Sequence, residues 1–160
     1  MKSKKMTPAV NYLKKNKISF RVLEFEHDRN SNSYGLEAVE KLDENPLKVF
    51  KTLIVTDLNK NYFTAVVPAV KKLNLRAFAK ETGNKKTEIA SPEEAARITG
   101  YIIGGISPVA QRKKLKTIID SSAENLDSVI VSAGKRGLEI ELSPHDLAKT
   151  LNASFAAISE

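Results

Sequence analysis

Apolar residues recur along this chain at two periods. Ala9, Val10 and Leu13 fall on one side of a helix that the spacing predicts from Pro8 to about Asn16. Leu138, Ile140 and Leu142 alternate with Glu139 and Glu141, the mark of a strand with one apolar face and both carboxylates on the other, a face that ordinarily meets solvent, although in a barrel one such carboxylate can sit at the cavity rim. Further strands are predicted over Phe20 to Phe25, Lys51 to Thr56, Tyr62 to Val67, Thr87 to Ala90, Ile102-Ile103, Thr117 to Asp120 and Val129 to Ser132. The polar run Asp57 to Asn61 makes a hairpin of the second and third. Helices are predicted over Tyr34 to Leu42, from the Asn74 cap through Lys80 with a stop at Gly83, from Pro92 to Thr99 with a stop at Gly100, and from Pro144 onward.

Four of the six prolines follow a capping residue: Thr7-Pro8, Asn45-Pro46, Ser91-Pro92 and Ser143-Pro144. Each pair reads as N-cap plus first helical position, and Ser91-Pro92-Glu93-Glu94 completes a capping box. Helices are interspersed among seven or eight short strands without strict βαβ alternation. The predicted fold is α/β in the α+β sense: a mixed, mostly antiparallel, barrel-like sheet of about seven strands flanked by helices. No repeat, linker or low-complexity segment interrupts the chain. With 160 residues, 41% of them hydrophobic, it suits a single domain over residues 1–160, led by a basic, solvated tail at residues 1–6. Met1-Lys2-Ser3-Lys4-Lys5 is charged like the start of a signal peptide, but no apolar stretch follows, so a cytoplasmic protein with no membrane partner is expected.

Composition narrows the chemistry. There is no cysteine, which removes disulfides, thiolate metal sites and a cysteine nucleophile together. A zinc site would have only His27 and His145 beside carboxylates, so no metal and no cofactor is expected. The formal net charge of +7 favours a polyanion, although a lysine-rich soluble surface accounts for it equally well. The cations are spread over Lys71-Lys72, Lys85-Lys86, Arg112-Lys113-Lys114 with Lys116, and Lys135-Arg136. With no tryptophan, there is no obvious aromatic platform for stacking single-stranded bases.

The stretch Thr99 to Leu115 carries the densest signal. A β-branched run ends in Gly104-Gly105, then Ile106-Ser107-Pro108, then the cluster Arg112-Lys113-Lys114. Glycine lets a backbone approach a ligand closely, so a site for something anionic is suggested. A phosphate-binding P-loop would need a lysine after the second glycine, where Ile106 stands, and the dinucleotide fingerprint is also absent. A Ser–His–Asp triad would have to use His27 or His145, both read as surface or capping residues. Lys51 leads an apolar strand, either as a snorkelling charge or as a group for a phosphate or carbonyl at a barrel mouth. Ser132-Ala133-Gly134-Lys135-Arg136-Gly137 is a second small-residue turn, either a plain hairpin or a loop facing a ligand.

Taken in order, Thr7-Pro8-Ala9-Val10, Glu26-His27-Asp28, Val49-Phe50-Lys51-Thr52-Leu53, Thr99-Gly100-Tyr101 with Gly104-Gly105-Ile106-Ser107-Pro108, and Gly134-Lys135-Arg136-Gly137-Leu138 form a pattern over nearly the whole chain. It resembles the YbaK-type Cys-tRNA(Pro) deacylases, relatives of the editing domain inserted in bacterial prolyl-tRNA synthetase. The resemblance implies a free-standing editing enzyme that hydrolyses the ester of cysteine mischarged onto tRNA(Pro), in company with prolyl-tRNA synthetase and without a metal. It matches the family's catalytic lysine, glycine-loop backbone and turn serine to Lys51, Gly104 and Ser132. It implies substrate contacts from Phe25, Tyr101, Gly105, Ser107 and Glu139, and tRNA contacts from Arg112, Lys113, Lys114, Lys135 and Arg136. Three positions depart from the family: Phe25 stands where a tyrosine is common, Ala133-Gly134 where Gly-Gly is common, and Glu139 where an aspartate is found. The family's mechanism uses the thiol of the substrate itself, so no protein cysteine or histidine base is required. Two competing readings are an Ala-tRNA(Pro) deacylase that uses water, and a tRNA-binding module without turnover.

Overall fold

The computed structural model describes residues 6–30 and 33–160. The basic segment Met1–Lys5, expected as a solvated tail, lies outside the described residues. Among the described residues there are five helices: α1 (Pro8–Lys15), α2 (Tyr34–Leu42), α3 (Leu75–Thr82), α4 (Pro92–Thr99) and α5 (Pro144–Leu151). All four proline-marked caps form. The side chains of Thr7, Asn45, Ser91 and Ser143 accept from the backbone N–H of Val10, Leu47, Glu94 and Asp146, and Glu94 returns the bond to Ser91. Each such cap contributes about 1 kcal/mol. The Thr7 hydroxyl also donates to the Ala133 carbonyl at 2.5 Å, which ties the start of α1 to a strand 126 residues away.

Among the described residues, the strands are β1 (Arg21–Glu24), β2 (Phe50–Asp57), β3 (Tyr62–Pro68), β4 (Thr87–Ile89), β5 (Lys116–Asp120), β6 (Val129–Lys135), β7 (Leu138–Leu142) and β8 (Ser154–Ala156). They form two sheets, ordered β1-β7-β6 and β4-β2-β3-β5-β8. The first is antiparallel; the second is mixed, with parallel pairs β3–β5 and β5–β8. The sheets meet at a parallel bridge between Val49 and Ile130 and do not close into a barrel.

Two elements differ from the sequence reading. Ile102-Ile103 is not a strand. It lies in a turn closed by the Gly105 N–H donating to the Ile102 carbonyl, and its side chains are exposed. Positive φ at Gly100 and Gly104 bends the chain on both sides, and a two-residue apolar run carries no period that could have shown this. β8 was not expected. Three residues are too few for alternation, and this strand is held by a distant partner. The buried Asp120 carboxylate accepts the backbone N–H groups of Ile158 and Ser159, both at 3.0 Å, and the Ser122 hydroxyl at 2.6 Å.

Period-2 geometry sorts the first sheet into two unlike faces. Val129, Val131, Leu138, Ile140 and Leu142 turn toward α1 and α5, packing with Leu13 and Leu147. Ile130, Ser132, Glu139 and Glu141 turn the other way, with Ser132 directly across from Glu139. On the second sheet, Val55, Ala65, Val67 and Ile118 pack with fully buried Phe78 of α3, while Ile54 packs with Ala95 and Ile98 of α4.

Burial raises the Asp120 carboxyl, but the hydrogen bonds from Ser122 and the Ile158 N–H outweigh it and leave the group below its ordinary value of 3.8. Asp120→Asn is therefore expected to cost about 2 kcal/mol of unfolding free energy at neutral pH. Because the folded-state pKa is the lower one, this stabilisation is complete above the unfolded value and is lost as pH falls through the folded value. Urea denaturation from pH 7 down to pH about 3 should show the gap between wild type and variant shrinking.

Candidate active site

A cavity of about 350 Å³ opens between the two sheets, walled by α2, β2, the start of α4 and the loop of Gly104. Its lining is largely apolar, from Ala38, Val49, Ile54, Ala90 and Ile106. Lys51, Thr52, Ser132 and Glu139 face into it, with Tyr34 and Gly104 at one wall. Four residues singled out in the sequence, Lys51, Gly104, Ser132 and Glu139, thus share one cavity although the chain separates the first from the last by 88 positions.

Lys51 sits near the start of β2 opposite Val67. It is partly buried, no ion pair reaches it among the described residues, and desolvation lowers its pKa from 10.5. Beside it the Thr52 hydroxyl is buried without a hydrogen-bond partner. α2 comes close here because Gly35 has no side chain: a Cβ would lie 3.1 Å from that of Ala69 and 3.7 Å from that of Lys51.

Glu139 and Glu141 do share a face, but that face is not solvent. Glu139 is 8% exposed, has no hydrogen bond or ion pair to its side chain among the described residues, and is pushed up to about 8 by burial. Glu141 meets the opposite fate. Burial raises it too, but Lys48 at 2.8 Å, Ser128 at 2.7 Å and Arg21 at 2.5 Å hold its carboxyl at about 2.

Gly104 has a φ of +86°, and a Cβ there would fall 2.6 Å from the Tyr34 ring. Of the glycine pair only Gly104 lines the cavity. The Gly105 N–H is committed to the Ile102 carbonyl at 2.9 Å, so it is not a second donor to a ligand. Gly105 instead allows close packing, since its Cβ would lie 3.0 Å from the backbone of Lys135 and Arg136.

The aminoacyl-tRNA editing domain family matches this chain over residues 32–150, a span that holds every polar residue of the cavity named above. The chain belongs to that family. This editing domain is 33% identical, over 99% of its own length and 96% of the relative's, to the Enterococcus faecalis protein named "Putative Cys-tRNA(Pro)/Cys-tRNA(Cys) deacylase EbsC". Its fold matches the crystal structure of a "putative trans-editing enzyme for prolyl tRNA synthetase" with a TM-score of 0.85 at 20% identity, covering 100% of this chain and 99% of that one. It also matches that of "hypothetical protein APE2540" with a TM-score of 0.85 at 25% identity, covering 96% and 100%. Among the described residues, no helix is long and apolar enough to cross a membrane.

The remaining expected site residues of this editing domain fall outside the cavity. Tyr101 is buried; its hydroxyl donates to the Val109 carbonyl at 2.7 Å and its ring backs Gly134, where a Cβ would be 2.5 Å away. Ser107 is fully buried and accepts the Val109 N–H at 3.1 Å. Phe25 packs with Ala38, Val49, Ala69 and Ile130, and its N–H donates to the Gly137 carbonyl. These three, like Gly105, support the walls and do not line the space.

The cations divide. Arg136 touches two residues of the cavity wall, its Nε donating to the Ile103 carbonyl at 2.9 Å and its guanidinium 4.9 Å from the centre of the Tyr34 ring, with Lys135 exposed beside it. Arg112, Lys113 and Lys114 are exposed on the strap after α4, held by backbone bonds from Arg112 and Lys113 to Thr99 and Ile98. Lys114 borders a separate cavity of about 170 Å³ with Tyr12, Gln111 and Thr150.

Sequence reasoning passed over Tyr34, Thr52 and Glu37. The carboxylate of buried Glu37 accepts from His27 Nδ1 and the Asp28 N–H, both at 2.7 Å, and from Lys41 at 3.2 Å. It fastens the segment after β1 to α2 and sets the His27 ring 5.6 Å from that of Tyr34. His27 is thus engaged behind the cavity wall. His145 contacts the Glu124 carbonyl and Phe155 and does not line the cavity. Thr52 had a legible signal in its adjacency to Lys51; Tyr34 and Glu37 had none, because their roles arise from contacts across the fold.

The buried Glu139 has a stability consequence. Its folded pKa lies above the ordinary 4.5, so the folded state holds its proton longer than the unfolded state, and folding is progressively penalised as pH rises from 4.5 to about 8. Glu139→Gln should be more stable than wild type at pH above 8, by on the order of a few kcal/mol, with the difference fading below pH about 5. Denaturant midpoints at pH about 5 and about 8.5 measure it.

Proposed function

We propose that this aminoacyl-tRNA deacylase clears cysteine from tRNA(Pro) in trans, beside prolyl-tRNA synthetase, by letting the substrate attack itself. The observation that carries the reading is the convergence of Lys51, Gly104 and Ser132 on one apolar-walled cavity. The 33% identical relative named as a Cys-tRNA deacylase supports it. The chain supplies no cysteine, and neither histidine lines the cavity, so thiol chemistry here has to come from the ligand.

In the proposed step, the cysteine sulfur loses its proton and attacks the ester carbonyl carbon. A C–S bond forms and the carbonyl electron pair moves onto oxygen. When that oxyanion collapses, the bond to the ribose oxygen breaks, the ribose oxygen takes a proton, and a cyclic thioester leaves that water later opens. A free thiol has a pKa of about 8.5, so a few per cent is already thiolate at neutral pH. The protein's task is orientation, worth several kcal/mol, and stabilisation of the oxyanion by the Gly104 backbone, worth about 3 kcal/mol. Lys51 holds the terminal nucleotide or the carbonyl, while Ser132 and Glu139 orient the aminoacyl group. Lys135 and Arg136 meet phosphates beside the cavity wall, and Arg112, Lys113 and Lys114 meet them farther along the tRNA.

Lys51→Ala should keep its fold, judged by circular dichroism, and lose deacylation of Cys-tRNA(Pro) by about a hundredfold, or roughly 2.7 kcal/mol. Full activity in that variant would contradict the assignment. Across a panel of esters, Cys-tRNA should be cleared while Ser-tRNA and Ala-tRNA persist. Equal hydrolysis of all three would point to an enzyme-activated water, and salt-sensitive binding with no turnover to a simple tRNA-binding module.

A further inference from the structure

Among the described residues, Glu139 is the one acidic residue that lines the cavity, and no side chain there pairs with it. It is 8% exposed, it faces Ser132 across the strand pair, and no cation among the described residues comes within ion-pairing distance. A carboxylate taken out of water is stable in its charged form only if a cation or several donors meet it. Two positions along the same strand, Glu141 receives three such groups. The cavity side of Glu139 is therefore the side on which its counter-charge is missing.

An aminoacyl ester carries one cation at its reacting end, the α-ammonium, on the carbon next to the ester carbonyl. Its anions, the phosphates of the nucleotide, lie at the other end. The cavity has the matching polarity. The acid is buried, Lys51 is half-buried, and Arg136 lies outside the lining, against Tyr34 and the Ile103 carbonyl. Resting on the deacylase reading above, we infer that Glu139 is the receptor for the substrate's α-ammonium, and that the site accepts esters with a free amine and refuses those in which the amine is absent or acylated. Binding brings the missing cation to a carboxylate that burial otherwise keeps protonated near neutral pH. An ammonium held there also fixes the carbonyl two bonds away, which is what presentation to Gly104 requires. The same requirement spares peptidyl-tRNA, whose α-nitrogen is an uncharged amide.

The test compares Cys-tRNA(Pro) with the same tRNA carrying 2-hydroxy-3-sulfanylpropanoate, in which a hydroxyl of similar size replaces the ammonium. Each rate is divided by that of the same ester without enzyme. Wild type should favour the ammonium ester by about thirtyfold in kcat/KM, the range of a charge-assisted hydrogen bond. Glu139→Gln should narrow that ratio to within about threefold. Equal handling of the two esters by wild type, or an unchanged ratio in the variant, would overturn the inference. N-acetyl-Cys-tRNA(Pro) needs no variant and should also be refused; its ready hydrolysis would equally overturn it. If wild type turns over neither ester, the deacylase reading is what fails. Calorimetry with 3′-cysteinylamino-3′-deoxyadenosine and its hydroxy analogue then decides the ammonium question alone: about thirtyfold tighter binding of the amine supports it, and equal binding refutes it.

Discussion

Everything at the cavity depends on how closely two turns can approach. The loop of Gly104-Gly105 lies so close to the turn of Lys135 and Arg136 that a methyl group at Gly105 would have to push backbone aside by a few tenths of an ångström. A Cβ at Gly105 would meet backbone at 3.0 Å, and one at Gly134 would enter the Tyr101 ring. Backbone against backbone leaves few alternative packings, so the contact sets the loop's distance from the sheet. That distance brings Gly104 to the cavity that β6 and β7 floor with Ser132 and Glu139. Tyr101 and Ser107, which touch no ligand space, hold the loop by bonds to or from Val109. In this sense the walls are built by residues that chemistry alone would not select.

The two carboxylates of β7 show how a fold assigns different work to one residue type. Strand geometry gives Glu139 and Glu141 the same direction, and neighbours then separate them. Lys48, Ser128 and Arg21 make Glu141 a structural anion, whereas apolar walls leave Glu139 a reluctant one. A packed apolar residue at position 139 would satisfy the sheet at less cost. The retained acid is a local departure from good packing of the kind that accompanies a binding site.

Much of this was legible in the chain because the signals are local. Thr7, Asn45, Ser91 and Ser143 announce their helices through bonds that span two or three residues, and all four form. The alternation from Leu138 to Leu142 fixed which residues share a face, and the ordered motifs pointed to Lys51, Gly104 and Ser132. What stayed hidden is set by partners far along the chain. Glu37 looks like any helical glutamate until the segment of His27 folds onto it. Tyr34 becomes a cavity wall only when Gly104 and Arg136 arrive. Ile102 and Ile103 read as strand because apolar character does not distinguish an exposed rim from a core. β8 needs β5 beside it before it has any reason to exist.

The Asp120 anchor also bears on how the molecule is made. Its carboxylate waits 38 residues for the N–H of Ile158. At roughly 5–20 residues per second of synthesis, that wait is about 2–8 s. During it, β5 has β3 on one side and an open hydrogen-bonding edge on the other. An unpaired strand edge invites wrong pairing, and β8 is the strand that closes this one.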